Sequence, residues 1–407
     1  MKNNYLTFKN NSVVNCLFAI TLLSNSNNVF SMDVSDNLTL NAFINQGYVN
    51  SPDNPYYGEL DSSFDFRDLV LNANWLVNEN IRLSGQAINR TVGEIEKSEN
   101  SIDFLLVDFT LAAESSYTTG IRLGRNKIPL GLYNSARDIS ITRPGVVVPE
   151  STYFEEYRDL LLSTNGISLY YDSFNQIGEF QLEAYAGSRD VSEDTLARYA
   201  NDFNGSGTYD SKGFSVNFVP NIEHEITLNF SLLDSTSKVS GQASYGFLTS
   251  PVQFDFNGLF KMASIQYSFQ DWIFTTEYVI ADTHSTIETP FGEISNKKIQ
   301  SEGYYFQTEW LINRNFTALA RYDEYFVNNQ DRDGSSSATA AFPANNFFAK
   351  GLTIGGRWLI NSNLSLTAEY AKKTGTAGIQ TTTNYDLNNL KKDWNIFRAE
   401  LTYQFQI

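Results

Sequence analysis

The chain has 407 residues, a formal net charge of −17 from 29 basic and 46 acidic side chains, and a single cysteine, Cys16. Mean hydropathy is below zero, and no stretch approaches the roughly 18 apolar residues that a membrane-crossing helix needs. This excludes a helical membrane protein but not a sheet that crosses with every second residue apolar. The acidity argues against a nucleic-acid partner, and one cysteine leaves no intramolecular disulfide.

At the N-terminus, Lys2 and Lys9 precede an apolar run from Val13 to Leu23, broken by Asn15, and a polar stretch that ends Val29-Phe30-Ser31. Charge, short apolar region and small final residue are the layout of a secretory signal. Residues 1–31 are therefore assigned to a signal cleaved after Ser31, and 32–407 to one domain. A lipid anchor on Cys16 is disfavoured, because Asn15 stands where a small residue is expected and the apolar run continues past it.

Along the remaining chain, tight turns rich in Asn, Asp or Gly are expected at 77–80, 115–118, 172–178, 220–224, 270–271, 313–315 and 361–363. These residue types tolerate left-handed and Asx-turn geometry. Longer polar loops are expected at 47–63, 91–101, 125–165, 188–211, 233–254, 281–301, 326–349 and 373–393. Turns and loops alternate, so one end of the sheet is trimmed short and the other is not. An antiparallel barrel crossing a membrane needs that asymmetry. The predicted fold class is all-β, a transmembrane antiparallel β-barrel of about sixteen strands of roughly eight to twelve residues.

Parity within the strands orients the sheet. Ile81, Leu83, Gly85 and Ala87 alternate with Arg82, Ser84, Gln86 and Ile88, and the same separation recurs at 316–323, 364–370 and 397–405. Arg82, Glu277, Arg321, Glu369, Arg398 and Glu400 fall on the wet, lumen-facing side. A one-residue slip would turn them to lipid, at about 2–4 kcal/mol for a basic residue at mid-bilayer. Over 102–114 the signal is weaker, since Phe104 and Leu106 share a face with Asp108 and Thr110; Leu105, Val107, Phe109 and Leu111 are expected toward lipid.

A soluble sandwich alternates too, with its apolar face inward. The tryptophans choose between them. Trp75, Trp272, Trp310 and Trp358 lie near tight turns on the apolar parity, as one aromatic girdle would; Trp394, at the loop end of the last strand, is expected in the opposite girdle.

The longest connection is the third, 125–165. Pro129, Gly131, Pro144, Gly145 and Pro149 discourage strands there, and so long a loop usually carries function. Arg122 precedes it on the lumen parity; Arg125, Lys127, Arg137, Arg143 and Arg158 stand against Asp138, Glu150, Glu155, Glu156 and Asp159. Folded into the lumen, such a loop makes a constriction whose opposed charges order polar solutes. Equally, Arg137–Asp138 and Arg158–Asp159 could simply pair to hold the loop. Acidic loop clusters, Glu94, Glu96 and Glu99 or Asp190, Glu193 and Asp194, are solvated surface or bind divalent cations among lipopolysaccharide headgroups.

The run Arg122-Leu-Gly-Arg-Asn-Lys-Ile-Pro-Leu-Gly-Leu-Tyr-Asn, followed by Arg137-Asp138 and Arg143-Pro144, resembles the segment leading into the inward loop of Gram-negative outer-membrane porins, the phosphate-selective type and related trimeric porins. The resemblance is sharpest over 120–166 and elsewhere is barrel pattern only. It implies a sixteen-stranded homotrimer in the outer membrane, surrounded by lipid and lipopolysaccharide, passing ions and small hydrophilic solutes without a cofactor. Two features depart from the family. The chain ends Phe405-Gln406-Ile407 rather than in an aromatic residue, and no ladder of lumen arginines supports phosphate selectivity.

Other functions fit less well. Catalysis needs a nucleophile beside a base, and neither His224, in Glu223-His224-Glu225, nor His284, in Asp282-Thr283-His284-Ser285, has one nearby in sequence. There is no His/Cys cluster for a metal. An energy-coupled receptor carries an N-terminal plug, for which about fifteen residues between signal and first strand leave no room. A plugless uptake channel, for example for a siderophore, and a non-conducting structural or adhesive barrel remain as alternatives.

Overall fold

The computed structural model describes residues 32–35, 37–155, 158–191, 203–222, 224–245, 248–380 and 385–405; the expected signal and Cys16 lie outside them. The strands are β1 (Met32–Ser35), β2 (Leu38–Tyr56), β3 (Glu59–Asn78), β4 (Ile81–Val92), β5 (Glu96–Ala113), β6 (Tyr117–Lys127), β7 (Ser163–Asn175), β8 (Gly178–Val191), β9 (Phe203–Pro220), β10 (Glu225–Tyr245), β11 (Leu248–Phe269), β12 (Trp272–Thr289), β13 (Gly292–Leu311), β14 (Phe316–Phe326), β15 (Phe348–Leu359), β16 (Leu364–Gly375) and β17 (Asp393–Phe405). From β2 onward each pairs antiparallel with the next, and β17 returns to β2 with Leu401 opposite Gln46, closing a barrel of 16 strands. Closure leaves no unpaired edge, which a sheet in hydrocarbon cannot tolerate. The short β1 folds back on Leu38–Leu40 of β2, below the stretch that β17 occupies.

Among the described residues the strands reverse where tight turns were expected, the one expected at 172–178 narrowing to 176–177, and asparagine builds four of these turns. The Oδ1 atoms of Asn78, Asn175, Asn313 and Asn361 accept from the backbone N–H two residues on, at 2.8 to 3.0 Å. At the other end, several expected loops are strands. β10 and β11 stay paired from Glu225–Ser268 up to Tyr245–Leu248, and β12 and β13 up to Thr289–Gly292. The strands therefore reach 22 residues in β11, where eight to twelve was expected. Beyond the bilayer both faces of a hairpin meet water, so the period-2 apolar signal fades while the ladder continues. The described residues of 128–155, 158–162, 327–347, 376–380 and 385–392 are not strand and carry short helical turns at Asn134–Ala136, Ser140–Thr142, Arg158–Leu161, Ala344–Phe347 and Leu387–Asn389.

The outward face is apolar and exposed. Leu71, Leu105, Leu111, Ile167, Leu169, Phe230, Phe274, Phe306, Leu352, Ile354 and Leu401 form a band that water would not tolerate and lipid would. Leu105 and Leu111 thus point outward as expected in the weakly patterned strand. The inward positions carry Arg321, Glu277, Glu369 and Arg398, none more than 2 % exposed. At Asp234, Lys261 and Asp282 the outward face turns polar, with a 2.9 Å Lys261–Asp282 ion pair, while Val239 on the inward parity is buried. The sheet leaves the hydrocarbon layer at that height.

Trp75, Trp272, Trp310 and Trp358 are half-exposed on the outer face at the turn end. Trp272 and Trp310 lie opposite in register and stack at 5.3 Å; Phe316 and Trp358 stack at 5.6 Å. Trp394 corrects the expectation. It shares the parity of Ile396 and Arg398, is 5 % exposed, and donates from Nε1 to the Gly375 carbonyl at 3.0 Å, so it belongs to an interior cluster and not to a girdle.

Candidate functional site

Described residues of 128–162, between β6 and β7, touch inward-facing residues on β2, β4, β10 to β13 and β15 to β17. The first half is dry. Ile128, Leu130 and Leu132 pack with Tyr153 and Phe154 against Leu233, Phe260, Met262, Val279, Ala281 and Tyr305 from β10 to β13. Gly131 donates to Ser231 Oγ at 2.8 Å with φ +62, where an added Cβ would lie 2.5 Å from the Tyr153 hydroxyl and 2.7 Å from Glu277 Oε1. Only glycine fits. Glu277, fully buried, accepts from the Leu132 N–H (2.9 Å) and from the hydroxyls of Ser264 (2.6 Å), Tyr305 (2.7 Å) and Tyr153 (2.7 Å). Four neutral donors replace the water that the carboxylate has lost.

The second half is held by charge. Arg143 reaches both oxygens of Glu400, at 2.7 and 2.6 Å, and the Val146 N–H donates to Glu369 at 3.0 Å. Arg357 of β15 donates to the carbonyls of Ile141 (2.7 Å), Ser140 (3.1 Å) and Arg143. Glu150 accepts from Arg398 and Lys373, each at 3.0 Å. Glu155 meets Arg90 at 2.8 Å, Arg137 and, at 3.7 Å, Arg158. Asp138 is clasped by Lys127 at 2.6 Å and by Arg158. Burial alone would push these three carboxyls up. For Asp138, Arg158 and Lys127 outweigh it and hold the group well below the usual carboxylate range; Arg398 and Lys373 do the same for Glu150. Arg137, Arg90 and Arg158 bring Glu155 to about 2.

The expected constriction residues do not all gather here. Arg125 is a correction: β6 continues to Lys127, and an odd spacing from Arg122 puts Arg125 on the outer parity, opposite Asn165, with Nη1 on the Ile102 carbonyl. Arg122 is inward but belongs to the wall, pairing with Asp108 (3.3 Å) and Glu183 (3.1 Å) across neighbouring strands. Of the two pairs expected to hold the loop, Arg137 instead meets Glu155 and Arg158 meets Asp138. Glu156 and the side chain of Asp159 lie outside the described residues. Arg82 sits half-buried on the parity of Ser84 and Gln86, opposite Asp108.

Several partners were not anticipated: Tyr56, Arg90, Asp103, Arg357 and Lys373. Arg90 and Lys373 lie four positions beyond Gln86 and Glu369, already placed on the inward parity, and Arg357 adjoins the outward Trp358. Parity counted from those residues would have found them.

No family model and no curated protein matches the chain. Solved structures do. The chain is similar to OmpT, an outer-membrane protein of Vibrio cholerae, at 12% identity and a TM-score of 0.55, covering 91% of this chain and 98% of that one. It is similar to the outer-membrane channel DcaP of Acinetobacter baumannii, at 10% identity and a TM-score of 0.54 over 90% and 97%. OmpF of Salmonella typhi, solved with daunomycin, aligns at 11% identity and a TM-score of 0.51 over 92% and 100%. The fold is that of the outer-membrane porins. Within this porin fold the two histidines are peripheral: His224 packs edge-on against Tyr267 and Phe269, and His284 Nε2 lies 3.0 Å from Asn296 Oδ1.

Proposed function

We propose that the protein is a porin of the Gram-negative outer membrane, forming a water-filled channel for passive diffusion of ions and small hydrophilic solutes. The third connection lies across the lumen and narrows it. The observation that carries this reading is the meeting of loop and wall charges: Arg143 with Glu400, Glu150 with Arg398 and Lys373, Glu155 with Arg90. Charged groups concentrated there line a polar passage and give it a transverse field. The chain has lipid and lipopolysaccharide around its apolar band and works as a homotrimer, a form in which one similar protein, OmpT of Vibrio cholerae, has been solved.

Purified protein in a planar bilayer should give persistent stepwise conductance. Deleting 129–149 should enlarge the steps; a correctly folded but silent barrel would favour the structural alternative, and unchanged steps after deletion would remove the third connection from the constriction.

A further inference from the structure

We infer that Tyr56, at the tip of the first hairpin, sets the width of the channel as a second narrowing element; this rests on the porin reading above. β2 does not run straight to its turn. The register passes from Ser51–Asp61 directly to Tyr56–Glu59, so β2 carries extra residues. That bulge is tied down. Ser51 Oγ donates to the Asn54 carbonyl at 2.6 Å, the Asn54 amide exchanges bonds of 2.8 and 2.7 Å with the backbone of Lys391, and Asp53 pairs with Lys391 Nζ at 2.9 Å. Tyr57 and Gly58 then turn the chain with φ of 55 and 83, the two-residue form that suits the strand twist.

This geometry delivers Tyr56, only 6 % exposed, to the charged half of the site. Its ring lies 4.5 Å from the Arg398 guanidinium and its hydroxyl donates to Glu150 Oε1 at 3.2 Å. Tyr57 meets the ring edge-on at 4.6 Å and Phe66 stacks at 6.1 Å. Two cavities adjoin it. One, of about 90 Å³, is lined by Arg67, Asp68, Arg90, Arg143, Arg398 and Glu400 among others; the second, of about 50 Å³, by Glu150, Asp323, Tyr325, Lys373 and Trp394 among others. Each has room for more than one water. Tyr56 and Glu155 are the residues that line both.

Glu155 is clamped by three arginines. Tyr56 is the part of the partition that a substitution can remove without stranding a charge. The bulk of side chain 56 therefore decides whether the two polar cavities join into one passage for hydrated ions and small solutes.

The test is a size series in planar bilayers on full-length protein, with barrel formation checked by heat-dependent gel mobility. Tyr56→Ala should roughly double the single-channel step, Tyr56→Phe should keep it, and Tyr56→Trp should lower it. Tyr48→Ala, on the outer parity against Phe64 and Phe397, should leave it unchanged. Equal steps for Ala, Phe and Trp overturn the inference while leaving the porin reading intact. Should the Ala variant fail to form a barrel, an unreduced step in the Trp variant overturns it. A silent wild-type barrel overturns both.

Discussion

The two halves of the third connection meet the barrel by different physics. Residues 128–133, with Tyr153 and Phe154, bury apolar side chains against β10 to β13, and the Leu132 N–H and the Tyr153 hydroxyl are neutral donors to one wall carboxylate, Glu277. Residues 143–155 also set ions against ions on β4, β16 and β17. The dry half is fixed through shape, and the charged half through ion pairs with the wall. Under the proposed channel function, the first would anchor the loop and the second would set the field that a solute meets.

The largest expected effect lies on the dry side. Met262 is fully buried in the cluster that holds residues 128–133. Met262→Ala opens a cavity that the surrounding sheet cannot collapse, and should cost about 2–5 kcal/mol. Reversible urea unfolding in lipid would read the loss. A change near zero would mean that this half is not anchored by packing, and the contrast between the halves would break.

Much of this arrangement was legible in residue order, and the boundary of legibility is physical. Inside the bilayer the environment differs sharply between the two faces, so parity spoke clearly at Trp272, Glu277, Arg321 and Arg398. The Asx turns at Asn313 and Asn361 are local chemistry and were read for the same reason. Outside the bilayer both faces are wet, and the pairs Val239–Phe254 and Ile287–Ser295 looked like loop although they are ladder. That error moved strand ends inward, which misplaced Arg125 and hid Lys373. The apolar cluster around Ile128 was missed because a wet lumen was assumed throughout, and Trp394 because an interior aromatic at a strand end looks like a girdle residue. Partner choice within the loop, Arg158 with Asp138 rather than with its neighbour, depends on tertiary placement that no spacing encodes.

The next effect is on the charged side. Arg143→Ala removes the cation that reaches both oxygens of Glu400 and leaves a net negative excess there, in the proposed passage. The reversal potential in a salt gradient should shift toward cations. Arg125→Ala serves as the paired control: its side chain is on the outer parity, so the potential should stay where it is. Equal shifts from both would mean that the field is set by total charge, and that inner and outer arginines do not differ.

The smallest expected effect is a flat response to acid. Glu150 and Glu155 have folded-state pKa values below those of an ordinary glutamate, Glu155 at about 2. For a depressed carboxylate, the stabilisation is complete above its unfolded value and is lost as pH falls through the folded one. Acidifying from pH 7 to 4 therefore leaves both groups ionised, and their ion pairs with Arg398, Lys373 and Arg90 intact. The contribution of these two carboxylates to selectivity should change little across that window, with its loss confined to stronger acid. A midpoint between pH 4 and 6 that disappears in Glu150→Gln or Glu155→Gln would show that the neighbouring cations do not hold these carboxylates, and that the charged half is looser than its distances indicate.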